Sequence, residues 1–172
     1  MNSFSQSLEC GNTLSPKQVY LHLLNRVPHI KFVSRCKSIA DDRKGIDYVI
    51  HREGLRPLYL DLKEVDFMPG EVDTLLLETS MSGQNVVDGW ATDKNKRTDL
   101  FLIVRGDGSS VVLSARQLRG ALAKHLRKWE TVFRVGSTAT KGFYEVFKSR
   151  YVLVPRAVIE KACAEVAATW RR

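Results

Sequence analysis

The chain has 172 residues, 44% of them hydrophobic, and a formal net charge of +8. That length and apolar content predict one globular domain with a real core and count against disorder. No apolar run approaches the roughly 18–20 residues of a membrane helix, and the basic balance favours anionic partners, nucleic acid first.

Residues 1–13 read as a flexible Ser/Asn-rich tail without the apolar region of a secretory signal, so the expected location is cytoplasmic. Residues 14–172 read as a single domain, with no internal repeat and no linker long enough to divide them. Ser15-Pro16 predicts a helix start, Ser as N-cap and Pro at the first helical position. Val19, Tyr20, Leu23, Leu24 and Val27 form its apolar stripe, and Pro28 ends or kinks it. Residues 30–44 read as a short apolar stretch followed by a polar loop.

Strands are predicted at 45–51 and 57–64, joined by a turn at Glu53-Gly54. Pro69-Gly70 marks another turn, and residues 73–79 a third strand around Leu75, Leu76 and Leu77. Residues 80–97 form a long polar connection with Gly83, Gly89, Trp90 and the basic cluster Lys94, Lys96 and Arg97; connections of that length are often functional. A fourth strand at 99–105 turns through Gly106-Asp107-Gly108 into Val111-Val112-Leu113. Because that turn joins two strands, it is not a phosphate loop.

Ser114 and Gln117 predict a capped helix. Its apolar face is Ala115, Leu118, Leu122, Leu126 and Trp129, and its other face carries Arg116, Arg119, Lys124, Arg127 and Lys128. A strand near 131–135, a loop over 136–142 and a strand near 150–154 follow. Pro155 then opens a last helix with the stripe Val158, Ile159, Ala162, Cys163 and Val166. The order predicts an α/β or α+β fold with a central mixed sheet flanked by helices.

The three cysteines, Cys10, Cys36 and Cys163, are far apart, and His22, His29, His51 and His125 show no ligand spacing, so a Cys/His zinc site is not expected. The acids are more informative. Asp47 lies between Ile46 and the apolar run Tyr48-Val49-Ile50, and a carboxylate buried there is costly unless it is paired or binds a metal. Residues i and i+2 of a strand share a face, so Asp61 and Lys63 project together while Leu62 points into the core. Glu78 is a candidate third acid, sharing a strand face with Leu76 and Ser80. Hard oxygen ligands at Asp47, Asp61 and Glu78 suit Mg²⁺ or Mn²⁺, and Lys63 would orient a water or offset phosphate charge. Arg116, Arg119, Lys124, Arg127 and Lys128 are candidate phosphate-backbone contacts, and Lys94, Lys96 and Arg97 are further candidates, flanking the active site on the 80–97 connection. Trp90 and Tyr144 are candidates for base stacking.

Asp47 followed by Asp61-Leu62-Lys63 resembles the signature of the PD-(D/E)XK nucleases of restriction-endonuclease-like fold, with Ile46 in place of the usual proline. Asp42-Arg43-Lys44-Gly45-Ile46-Asp47 resembles the D-x-x-x-G-x-D entry of small phage and bacterial members. Leu77-Glu78-Thr79-Ser80, Gly89-Trp90 and Thr98-Asp99-Leu100-Phe101 are similar to their following segment, as is Val154-Pro155 to their late strand and helix start. The likeness covers residues 40–160. It implies a Mg²⁺- or Mn²⁺-dependent nuclease hydrolysing phosphodiester bonds in DNA. Asp47, Asp61 and Lys63 would be its core and Glu78 its third acid, and homodimers are common among such enzymes. Two rivals keep the fold without the reaction. One is a nucleic-acid-binding protein, motivated by the basic helix; the other binds a host protein, against which the retained DxK speaks.

Overall fold

Ser15 starts the first helix as its sequence predicts. Its hydroxyl accepts from the Gln18 N–H (3.3 Å) while Gln18 Oε1 accepts from the Ser15 N–H (2.8 Å), a reciprocal cap. The computed structural model describes residues 14–36, 38–65, 73–82, 86–141 and 146–170. In chain order the elements are α1 (Pro16–Leu23), β1 (Ile30–Arg35), α2 (Ile39–Arg43), β2 (Tyr48–Arg52), β3 (Leu55–Val65), β4 (Thr74–Ser82) and β5 (Val86–Asp88). They continue with β6 (Leu100–Arg105), β7 (Ser110–Ser114), α3 (Ala115–Val132), β8 (Val135–Lys141), β9 (Val146–Pro155) and α4 (Arg156–Thr169). The expected tail, Cys10, the Pro69-Gly70 turn, Gly83 and Tyr144 lie outside the described residues. The fold is mixed α+β, and the chain forms two compact units.

The first unit holds residues up to 67 and residues 95–114. Its five-stranded mixed sheet has the order β1-β2-β3-β6-β7. β1, β2 and β3 form an antiparallel meander, β3 pairs parallel with β6, and β6 pairs antiparallel with β7. Gly54 takes a φ of 65° in the β2–β3 turn, and Gly108 a φ of 80° in the β6–β7 turn; glycine adopts such angles without steric cost. One face of the sheet packs on α1 through Val19, Leu23, Val33, Tyr48, Ile50, Leu60, Leu62, Leu102 and Val104. The alternation of strand side chains sends Asp61, Lys63, Phe101 and Ile103 to the other face.

Helix α1 stops well before Pro28. The N–H groups of Arg26 and Val27 both close onto Leu23 O (2.9 and 3.0 Å), so Val27 is buried from a turn and Leu24 stays exposed. Residues 30–44 are not a stretch and a loop but a strand and a short helix. β1 gains its identity from antiparallel pairing with β2, which its own sequence does not signal.

The second unit holds residues 68–94 and 115–172. Its four-stranded antiparallel sheet has the order β5-β4-β9-β8, and α3 and α4 pack together. The polar connection expected at 80–97 contains the end of β4 and all of β5. The strand expected near 131–135 is displaced. Helix α3 runs to Val132, with the Phe133 N–H on Trp129 O (2.8 Å), and the expected loop at 136–142 is mostly strand β8. β8 is an edge strand rich in Gly, Ser, Thr and Ala, defined by its ladder to β9 rather than by an apolar pattern. In α4 the expected stripe holds at Ile159, Ala162, Cys163 and Val166, which are buried, while Val158 is half-buried. No helix among the described residues is long and apolar enough to cross a membrane.

Candidate active site

The acid pair is built by the β2–β3 hairpin. Asp47 stands one residue before β2. Its N–H donates to Leu60 O (2.9 Å), and its carboxylate Oδ2 accepts from the Leu62 N–H (2.7 Å). Asp47 thus brackets Asp61 through the main chain on both sides of it. Leu60 and Leu62 turn away into the apolar layer, so the strand period leaves Asp61 on the side where Asp47 sits. Both carboxylates are buried, Asp47 at 9% exposure and Asp61 at 2%. Lys63, on the same face, places Nζ 2.6 Å from Asp61 Oδ1.

The electrostatics follow from that crowding. Burial pushes the Asp61 carboxyl from 3.8 up to about 6. The Lys63 ammonium pulls it down, while the Asp47 charge and a hydrogen bond with the Asp47 carboxylate push it up. A buried carboxylate facing another carboxylate is the environment in which one of the two resists ionisation. A cation bound between them would relieve both the desolvation and the repulsion.

The turn before Asp47 closes the site. Gly45 has a φ of 70°. The Thr98 hydroxyl donates to Gly45 O (2.8 Å), and the Arg97 N–H donates to Lys44 O (2.8 Å). These bonds stitch residues 44–45 to the segment leading into β6. Asp99, one residue before that strand, is no part of the acid pair: its carboxylate takes both Arg56 guanidinium nitrogens (2.8 and 3.2 Å) and the Tyr59 N–H (3.0 Å). Cys36 donates its N–H to Asp47 O (2.8 Å). Burial first, then the charges of Asp41 and Asp47, hold its thiol above the ordinary range, so it is not an activated nucleophile.

Glu78 lies in β4, in the second unit. It is half-buried, and the Trp90 N–H approaches its Oε1 at 3.4 Å. The Ala91 N–H donates to Glu78 O (3.2 Å), and the Gly89 main chain lies so close that a Cβ there would fall 2.4 Å from the same oxygen. The β4–β9 register slips by one residue between Glu78 and Ser80, although the half-buried positions still alternate through 76, 78 and 80. Among the described residues, no group of three or more His, Cys, Asp or Glu side chains gathers to hold a metal. Within the first unit the acids brought together are two, Asp47 and Asp61.

The basic residues fall on different elements. Arg116, Lys124, Arg127 and Lys128 are exposed on α3, opposite buried Leu118, Leu122 and Trp129, and Arg119 is half-buried. Arg116 stacks over the Trp170 ring at 4.0 Å, and Lys124 approaches Glu165 at 3.8 Å. Lys94 is exposed; Arg97 lies over the Tyr59 ring at 5.5 Å, and Lys96 is half-buried. A cavity of about 290 Å³ between α3 and α4 is lined by His125, Trp129, Val132, Phe133, Val158 and Glu165, among others. It has a single acid and so lacks the paired carboxylates of the first unit.

The sequence reading set Lys94, Lys96 and Arg97 beside the active site as phosphate contacts; it missed the Thr98 strap. The signal was present in Gly45, a glycine two residues before a buried acid. Compared with family models, curated proteins and solved structures, the chain matches none.

Proposed function

We propose that the chain is a metal-dependent nuclease that hydrolyses phosphodiester bonds in DNA, with Asp47, Asp61 and Lys63 as its core. The observation that carries this reading is the burial of two carboxylates against each other with a lysine on one of them. The resemblance of Asp47 and Asp61-Leu62-Lys63 to the PD-(D/E)XK signature supports it.

The donor set fits Mg²⁺ or Mn²⁺. Both groups are hard oxygen ligands, and Mg²⁺ sites commonly use one or two carboxylates plus waters and substrate phosphate. A Mg²⁺ ion bound there would lower the pKa of a coordinated water and offset charge on the transferring phosphate. The chain's own groups do the rest. The Leu62 N–H fixes one Asp47 oxygen, and Lys63 holds Asp61 Oδ1 while presenting positive charge on the face where a phosphate would lie. Glu78 is kept as the proposed third acid, its contribution to be read from its own variant.

The test is cleavage of supercoiled plasmid and of a labelled duplex by the purified protein, with Mg²⁺ or Mn²⁺ and with chelator. We expect metal-dependent cutting that Asp47→Asn and Asp61→Asn each reduce by about 100-fold or more, with unchanged circular dichroism. Cutting that survives Asp61→Asn, or is absent with every metal, overturns the proposal. The exposed basic face of α3 favours one second reading, a protein that binds DNA without cutting it. Salt-dependent binding that persists in both variants, with no cleavage by the wild type, selects that alternative.

A further inference from the structure

One point in the first unit touches three groups of interest. The position a Cβ would take on Gly45 lies 2.7 Å from Thr98 Oγ1, 3.0 Å from Lys96 Cδ and 3.5 Å from Asp61 Oδ2. The lysine stem therefore crosses the bare face of Gly45, and an Asp61 carboxylate oxygen borders the same spot. Lys63 occupies the other oxygen, Oδ1. The two lysines come from different elements: Lys63 from β3 itself, Lys96 from the segment entering β6.

Lys96 is anchored there. The next two residues are bonded to the Gly45 turn, Arg97 through its N–H to Lys44 O (2.8 Å) and Thr98 through its hydroxyl to Gly45 O (2.8 Å). The ammonium lies two bonds beyond Cδ on a flexible stem, and a lysine is a compact point charge with three rotatable donors. A phosphate drawn to a cation on the acid pair would arrive within its range.

We propose that Lys96 is the substrate-positioning cation of this site, holding a phosphate oxygen of DNA beside Asp61, with Gly45 kept bare so that its stem can pass. The inference rests on the nuclease reading and adds to it the residue that orients substrate. It also assigns Gly45 a role beyond its turn.

The test compares wild type, Lys96→Met and Lys96→Arg. Methionine keeps an unbranched stem over Gly45 and removes the charge; arginine restores the charge. Steady-state cleavage of a labelled DNA duplex with Mg²⁺ gives kcat and KM. Anisotropy binding of the same duplex with Ca²⁺ across a salt series gives the number of phosphate contacts. For Lys96→Met we expect KM to rise about 10-fold, kcat to change less than about threefold, and the salt slope to fall by about one contact, at an unchanged melting temperature. Lys96→Arg should recover most of the loss in KM.

If wild type cuts and Lys96→Met matches it in KM and salt slope, this inference is overturned while the nuclease reading stands. If Lys96→Arg is as impaired as Lys96→Met and both melt lower, Lys96 packs rather than positions, and the inference again fails. A wild type that binds without cutting leaves the salt slope to decide. A wild type that neither binds nor cuts overturns both readings.

Discussion

With 2% exposure the Asp61 carboxyl loses nearly all of its hydration, and that loss outweighs the Lys63 ion pair, so the group titrates near 6 rather than 3.8. A carboxyl whose pKa is raised on folding contributes stability that is complete below its unfolded value. That contribution is lost as pH rises towards the folded value, and stability is flat in this group above it. The window runs from about 4 to about 6, and a shift of that size corresponds to about 3 kcal/mol. The metal-free protein should therefore lose stability across this window as pH rises. Asp61→Asn keeps an oxygen for Lys63 and supplies an amide donor for Asp47 without the charge. In chelator, its melting temperature should exceed that of wild type at pH 7.5, and the two curves should converge near pH 4. A variant that melts lower than wild type at pH 7.5 would refute the argument. Gly45 makes a second point at this scale. Alanine there would have to hold a φ of 70° with its methyl 2.7 Å from Thr98 Oγ1. The left-handed backbone alone costs about 1–2 kcal/mol, and displacing the Thr98 strap adds to it, so urea unfolding of Gly45→Ala should show a loss of about 2–3 kcal/mol.

Between elements, another glycine lies where the two long helices meet. A Cβ on Gly120 of α3 would meet Val166 Cγ1 of α4 at 2.8 Å and Cγ2 at 3.4 Å. Alanine would improve helix propensity by about 1 kcal/mol, but a β-branched valine in a helix has one strongly preferred rotamer and cannot swing aside. Gly120→Ala should accordingly melt below wild type. Val166→Ala in the same chain should return part of the loss, a coupling readable in a double-mutant cycle. A Gly120→Ala protein more stable than wild type would show that the helices separate at no cost. This scale also shows where the sequence was legible. The α1 start was written in Ser15-Pro16, and the β2–β3 hairpin in Glu53-Gly54, because both signals are local. The shared face of Asp61 and Lys63 followed from the strand period alone. The bracketing of Asp61 by Asp47 needed the β2–β3 register. The approach of Lys96 needed the parallel pairing of β3 with β6, which joins residues about forty apart in sequence, as Leu60 with Leu100. β8 was illegible for the converse reason: its Gly-Ser-Thr-Ala-Thr run has the composition of a loop, and only β9 makes it a strand.

For the molecule as a whole, the net charge of +8 would give the proposed association with DNA a steep salt dependence. Arg127 and Lys128 are exposed on α3, so replacing both with glutamate should weaken duplex binding by about 10-fold at moderate salt and flatten the salt slope, without changing the melting temperature. Unchanged binding would remove α3 from the proposed DNA-contacting surface. The two units also impose a constraint through their connectivity. The chain leaves the first unit after residue 67, returns at 95, and leaves again after 114. A gene shortened to end at residue 114 would keep all five strands of the first sheet yet strand β4 and β5 without β9 and β8. A gene opened at residue 68 would lose β1, β2 and β3 and with them both acids, while retaining Lys96. Every single breakpoint that inherits one unit intact therefore carries a fragment of the other along with it, cut off from its pairing strands.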